Sequence, residues 1–291
     1  MSILSKMIRM MFARSDRKRD AGLKVPADVE LFCDLAYAES DPQQVLDVYR
    51  PAGRKDLPVI VSVHGGAWVY GDKELYRYYA MDLARRGFAV VNFSYRLAPE
   101  AKFPAQLEDV CLVFRWVMKN IGSFGGDARR LFAVGDSAGA HLLCLYCAMQ
   151  TDPAYAERFS FRAPEGGLPR AAALNCGAYR VSGSGGAMKG LMKDLMPRGS
   201  RREDISALDP VRWVGSAFPP VYVMTAVRDF LKDDAEVMKK ALDGAGVPNE
   251  RHVYDDPSHS LGHVFHLNIR DPHAVRCNDE ECAFFRRWDM N

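Results

Sequence analysis

Almost no net charge is left over in this chain, since 39 lysines and arginines stand against 37 acids, a formal balance of +2. So small an excess supplies no field for gripping a phosphate backbone, and nucleic acid is not an expected partner. The one dense basic stretch, Arg14 to Arg19, reads as a solvated connector. Long apolar runs are lacking too. At the N-terminus Ile3, Leu4, Met7, Ile8 and Met11 fall at helical spacing, but Lys6 and Arg9 interrupt them, which argues against a signal peptide or a membrane span. An amphipathic helix within residues 1–25 is expected instead, of about three turns. It is read as a core-docked or lid helix first, a dimer contact second and a membrane-surface element third.

Paired cysteines are missing as well. The seven (Cys33, Cys111, Cys144, Cys147, Cys176, Cys277 and Cys282) are odd in number and scattered. Cys144 and Cys147 form a C-x-x-C, yet they lie in 142–149, which reads as buried helix, and no second pair is spaced for zinc. Buried free thiols in a reducing compartment, hence a cytoplasmic protein, are the expectation. No repeat, low-complexity tract or linker divides the chain. With 48% apolar and 26% charged residues, 291 residues are expected to form a single domain.

What is present is a rhythm. Residues 29–37 and 45–50 read as strands, and 58–63 as a strand buried on both faces. A helix over 73–86, a strand over 88–95, a helix over 105–121 and a strand over 131–135 follow, then a helix from Ala138. Strands at 170–176, 221–226 and 251–254 alternate with a helix over 233–243, and a helix over 274–288 closes the chain. The alternation predicts an α/β fold with a mostly parallel, doubly wound sheet and helices on both faces. Residues 180–216 break the rhythm. A Ser/Gly-rich lead-in and the Met-rich stretch 188–196 are read as a small helical cap inserted between two core strands.

Residues 135–139, Gly-Asp-Ser-Ala-Gly, stand where the 131–135 strand must turn sharply into a helix. This is the pattern of a nucleophile elbow, whose serine, here Ser137, is thrust out by a strained turn. Acyl transfer by such a serine needs a base, a group to orient the base and donors for an oxyanion, all gathered at the carboxyl ends of strands. His64-Gly65-Gly66-Ala67-Trp68 follows the strand at 58–63, and tandem glycines there let N–H groups face a cleft. N–H groups of that loop, with the N–H of Ala138 after the nucleophile, are the expected oxyanion donors. His64 is read as holding the loop, and Trp68 and Asp136 as touching substrate. Asp229 follows the 221–226 strand and is the expected acid, whereas Asp233 and Asp234 are read as helix-start acids. The base must come from the loop holding His259, His263 and His266. Local pattern favours His263 only mildly over His259. The order Ser, Asp, His along the chain is that of the α/β-hydrolases.

Taken together these residues resemble the hormone-sensitive-lipase-like branch of the α/β-hydrolases, which includes bacterial carboxylesterases and acetyl esterases. The matching segments are 47–51 (Asp-Val-Tyr-Arg-Pro), 64–68, 95–100 (Tyr-Arg-Leu-Ala-Pro-Glu) with 103–105 and Asp109, and 135–139. The resemblance covers about residues 45–288. It implies the α/β-hydrolase fold, Ser137 as nucleophile, Asp229 as acid and His263 as base, because the family's His-Gly-Phe matches residues 263–265. It also implies the N–H groups of Gly66, Ala67 and Ala138 as the oxyanion donors. It implies a serine carboxylesterase acting on short-chain, acetyl-like esters, with no metal or organic cofactor and a small-molecule ester as partner, and it leaves a homodimer open. Ala67 departs from the third glycine common in the branch, and Val264 from the glycine after the base. The segment 95–100 and Asp109 are read as holding the loop beneath the site. Two alternatives stand beside this reading: an amide-cleaving relative such as an aryl-formamidase, and a non-catalytic protein that binds a small ligand in the cleft.

Overall fold

The computed structural model describes residues 2–182, 185–258 and 260–289. It opens on α1 (Ile3–Asp20), capped by the Ser2 hydroxyl, which accepts the Ser5 N–H. Arg17, Lys18 and Arg19 occupy the last turn, where cations complement the helix dipole. At 18 residues α1 outruns the three turns expected and absorbs the basic cluster read as a connector. Arg19 holds that cluster down by pairing with Asp16 and Asp20 and donating to the Leu75 carbonyl.

Then come β1 (Val29–Ala36), β2 (Val45–Pro51), β3 (Leu57–Val63), α2 (Lys73–Arg85), β4 (Ala89–Phe93), α3 (Ala105–Asn120) and β5 (Gly126–Asp136). The second half brings α4 (Ala138–Thr151), α5 (Pro153–Ala156), β6 (Ala172–Asn175), α6 (Gly186–Leu195) and α7 (Arg202–Ser206). It ends with β7 (Val221–Ala226), α8 (Lys232–Gly244), β8 (Asn249–Tyr254) and α9 (Pro272–Asp289).

Among the described residues eight strands form one sheet, ordered β1-β2-β4-β3-β5-β6-β7-β8. The pairs β1–β2 and β2–β4 are antiparallel, and every pair from β4 to β8 is parallel. The alternation of the buried strands explains the layers. Val59, Val61 and Val63 of β3 pack with Leu107, Val110 and Phe114 of α3, whereas Ile60 faces the opposite core with Leu83 of α2 and Phe285 of α9. Helices therefore cover both faces, as the near-continuous apolar runs require.

The sheet order also locates a cleft. From β3 the chain steps outward to β4, then crosses back over β3 to lay β5 on its other side. Connections leave β3 and β5 in opposite directions, and a crevice opens at their carboxyl ends. Above this edge lie α1 and the 180–216 segment, joined where Asp194 of α6 accepts the Ser2 N–H at 3.0 Å and the Ser5 hydroxyl at 2.5 Å. Beneath it the 95–100 loop is tied down by Arg96, whose guanidinium forks onto the buried Asp109 carboxylate. Among the described residues no helix is long and apolar enough to cross a membrane.

Candidate active site

Ser137 joins β5 to α4 with φ 53° and ψ −117°, a conformation costing a serine about 1–3 kcal/mol. Neighbouring backbone holds the strain in place. The Ser137 N–H donates to the Asn175 carbonyl at the end of β6 at 2.9 Å, and its carbonyl accepts from Ala178 and His141. The pattern around it is steric: a Cβ on Gly139 would lie 2.0 Å from the Val63 carbonyl oxygen, because α4 starts hard against the end of β3.

Asp229 follows β7, fully buried at its carboxylate. One oxygen accepts the Leu231 N–H at 2.9 Å and faces His263 Nδ1 at 2.7 Å, while the other accepts the Thr225 hydroxyl at 2.9 Å. Burial alone would raise its pKa, but the hydrogen bonds from His263 and the Leu231 N–H hold it below the usual carboxylate value. A carboxylate can only accept, so His263 carries its proton on Nδ1 and presents the bare Nε2 to Ser137 Oγ at 3.0 Å. Serine, imidazole and carboxylate form one continuous hydrogen-bonded chain.

The other histidines lie elsewhere or are differently engaged. His64 is buried, stacked on Tyr95 at 4.0 Å, and donates from Nδ1 to the Gly65 carbonyl at 2.7 Å. Burial pushes its pKa down to about 4, so it stays neutral beneath its loop. His266 is buried too, with burial pushing it to about 3, and makes an edge contact to Tyr79. His259 lies outside the described residues.

Of the expected oxyanion donors, Gly66 lines the cavity at φ 114°, where a Cβ would sit 1.9 Å from the Tyr70 carbonyl oxygen. Ala138 opens α4 directly after Ser137. Among the described residues the Gly66 and Ala67 N–H groups donate to no backbone acceptor. Both departures from the family pattern fall in the left-handed region, Ala67 at φ 55° and Val264 at φ 51°. Glycine is at ease there, and a β-branched valine is not.

The two expected substrate contacts part company. Asp136 lines the cavity, accepts the Tyr76 hydroxyl at 2.8 Å and is raised by burial to about 7. Trp68 is a correction. Its ring is 1% exposed, lies outside the cavity lining and donates to His141 Nδ1 at 3.2 Å, because successive positive φ angles at Ala67 and Trp68 turn the chain inward. His141 passes the contact on to the Leu208 carbonyl at 2.8 Å, so the indole anchors the loop to the 180–216 segment.

Several residues at the site carry no sequence signal. Tyr76 of α2 accepts the Gly65 N–H at 2.9 Å and so fastens the glycine loop to the elbow through Asp136. Phe230, 74% exposed, lays its ring 4.3 Å from that of His263. From α1, Phe12, Asp16 and Arg19 line the same cavity of ≈ 210 Å³, and no described residue of 180–216 does. A wider basin of ≈ 850 Å³ opens beside it, sharing His263, Val264, Asp16 and Arg19. Cys176 adds its sulfur behind the acid, and its Sγ accepts the Val264 N–H at 3.4 Å. Its ligand atom lies within 4.8 Å of those of Asp229 and His263, so a metal ion placed there would have to break the Asp229–His263 bond.

The chain is similar to known proteins in sequence and in fold. Esterase LipQ of Mycobacterium tuberculosis is 29% identical over 245 residues, which cover 76% of this chain and 57% of LipQ. The chain thus matches little more than half the length of that relative. The versiconal hemiacetal acetate esterase of Dothistroma septosporum is 29% identical over 235 residues, 73% of this chain and 69% of that one. Among solved structures, esterase B from Lactobacillus rhamnosis in a C6-C4 inhibited form superposes with a TM-score of 0.90 at 25% identity, covering 99% of this chain and 97% of its own. A second form of esterase B, named for a C4-C4 tributyrin phosphonate, gives 0.88 at 26% identity over 99% of this chain and 96% of its own. A family model described as the alpha/beta hydrolase fold matches residues 60–266, from the β3 strand through the histidine loop, and the chain belongs to that family.

Proposed function

We propose that the protein is a serine carboxylesterase that hydrolyses short-chain acyl esters through an acyl-enzyme. The observation that carries the reading is the unbroken Asp229–His263–Ser137 chain opening onto the cavity beside Gly66. His263 Nε2 takes the proton of Ser137 Oγ as the oxygen attacks the ester carbonyl. The N–H groups of Gly66, Ala67 and Ala138 receive the negative oxygen of the tetrahedral intermediate. The imidazolium, steadied by Asp229, protonates the leaving alcohol, and water then repeats the cycle on the acyl-enzyme. Every proton passes through His263, so the carboxylate of Asp229 holds orientation and charge without itself being protonated.

The short-chain preference rests on size. The cavity at Ser137, ≈ 210 Å³, is below the roughly 300–1,000 Å³ of sites that enclose drug-sized ligands. The C4 and C6 inhibitors of esterase B point the same way. Its aromatic and aliphatic lining, Phe12, Phe230 and Leu267, suits an apolar acyl group, and the wider basin beyond His263 gives the alcohol a way out.

Ser137→Ala is expected to abolish hydrolysis of p-nitrophenyl acetate and labelling by a fluorophosphonate probe while leaving the fold intact. A Ser137→Ala protein that still turns over at the wild-type rate overturns the reading. Faster turnover of octanoyl than of acetyl or butyryl esters overturns the chain-length claim alone.

A further inference from the structure

We infer that the outward face of α1, with the groove between α6 and α7 beside it, docks on a lipid surface that carries anionic head groups. The inference is independent of the ester reading.

The outer side of α1 is unusually apolar for a surface helix. Ile3 is 79% exposed, Met7 49%, Met10 68% and Met11 60%. At about 100° per residue, these side chains share one arc of the helix with Lys6, Arg14, Arg17 and Lys18, all four exposed. No acid faces outward with them. The helix has two, Asp16 and Asp20, and both are turned to Arg19 on the inner side. Apolar residues dominate the first half of the arc and cations the second.

The neighbouring segment repeats the pattern. Between α6 and α7 lies a groove of ≈ 910 Å³ whose apolar floor includes Met192 and Met196 and whose rim carries Lys189, Lys193, Arg198 and Arg202. No acidic residue lines it, and the nearby Glu203 and Asp204 lie against Arg201. The two features adjoin because α6 is bonded to the start of α1 through Asp194.

Charge selects the occupant. A second copy of the chain meeting this face about a twofold axis would set Arg14, Arg17 and Lys18 against their like or against methionine and isoleucine, and in neither register against an acid. A neutral apolar partner would leave them unanswered. An anionic lipid surface answers both halves, accepting methionine and isoleucine side chains at its boundary and attracting the cations with about 1 kcal/mol each, roughly 5-fold in partition. Phe12, Asp16 and Arg19 on the opposite arc line the cavity at Ser137, so docking would hold that cavity close to the lipid boundary.

The test is flotation of the full chain with extruded vesicles, either pure phosphatidylcholine or its equimolar mixture with phosphatidylglycerol. Binding is expected only to the mixture, and it should weaken as salt is added. Reversing three cations, Lys6→Glu, Arg14→Glu and Arg17→Glu, should lower partition by about 100-fold or more, since each change removes an attraction and adds a repulsion. Met7→Ser with Met10→Ser should also release the protein while leaving its circular dichroism spectrum and thermal midpoint unchanged, which shows that the variant is folded. Equal binding to both vesicles, no binding at low salt, or unaltered binding of the triple variant overturns the inference. So does a solution dimer that the methionine substitutions dissociate, since the face would then be a contact between copies.

Discussion

On the proposed mechanism, replacing Asp229 by asparagine separates two contributions that the same change removes together in the chymotrypsin-type triad. An amide has one accepting oxygen and one donating nitrogen, so its effect depends on which end faces His263. The surroundings decide. The oxygen of Asp229 that faces His263 Nδ1 also accepts the Leu231 N–H, which can only donate, while the other oxygen faces the Thr225 hydroxyl, which can rotate and accept. Asparagine therefore keeps its oxygen toward His263 and its NH₂ toward Thr225, and the histidine tautomer survives. What is lost is the negative charge beside the imidazolium. A charge-assisted bond replaced by a neutral one, with the missing attraction of a partly screened pair, amounts to about 3 kcal/mol, roughly 100-fold in kcat. Where the amide turns the other way and imposes the wrong tautomer, as in the chymotrypsin-type triad, the loss is about 10⁴-fold. Asp229→Ala, which removes both orientation and charge, should fall near that larger figure. Steady-state hydrolysis of p-nitrophenyl butyrate by the two variants, corrected for background, gives the comparison. An asparagine variant as crippled as the alanine one refutes the orientation argument, and one with undiminished kcat refutes the role of Asp229.

Three other outcomes follow from the packing. Gly139→Ala should destabilise the fold by at least the 1–3 kcal/mol of an overpacked core, because a methyl group 2.0 Å from the Val63 carbonyl forces α4 off β3; thermal unfolding would read it. Glu281 of α9 is fully buried and raised to about 7 by burial, against hydrogen bonds from Asn175 and Tyr79. The folded state thus favours the protonated acid, so its stabilising share is complete below the unfolded value and is lost as pH rises through about 7. Glu281→Gln should flatten that fall by up to about 3 kcal/mol, seen as a smaller drop in Tm between pH 5 and pH 8 than in the wild type. Arg96→Ala should cost about 3–5 kcal/mol, since it strands the buried Asp109 carboxylate with Gln44 as its remaining side-chain partner. Denaturant midpoints for Arg96→Ala and Arg96→Ala/Asp109→Asn would check it, with the second substitution restoring part of the loss.

How far the chain could be read depended on how local each constraint was. Val221–Ala226 is legible to its ends because its apolar run starts after two prolines, and Ser137 because the close approach of α4 to β3 admits only glycine at position 139. The position of Asp229 three residues beyond β7 is equally local. Nothing in a His-Gly-Gly-Ala-Trp string shows the positive φ angles that turn the indole of Trp68 away from the cleft and toward His141. The full length of α1 is hidden in the sequence because its basic second half reads as solvated until Asp16 and Asp20 close on Arg19. Tyr76 and Phe230 carry no pattern at all, since their roles arise from elements that meet only in three dimensions.

The distribution of the site over the sheet has a kinetic corollary. The glycine loop leaves β3, Ser137 leaves β5, its N–H is held from β6, Asp229 follows β7 and His263 follows β8. Pairing of β3 with β5 joins residues far apart in the chain, and such non-local contacts form slowly. Helix content during refolding should therefore recover ahead of turnover, which cannot begin until the last of these strands is in register. Regained hydrolysis is a clock for completion of the sheet, stricter than any spectroscopic average over the molecule.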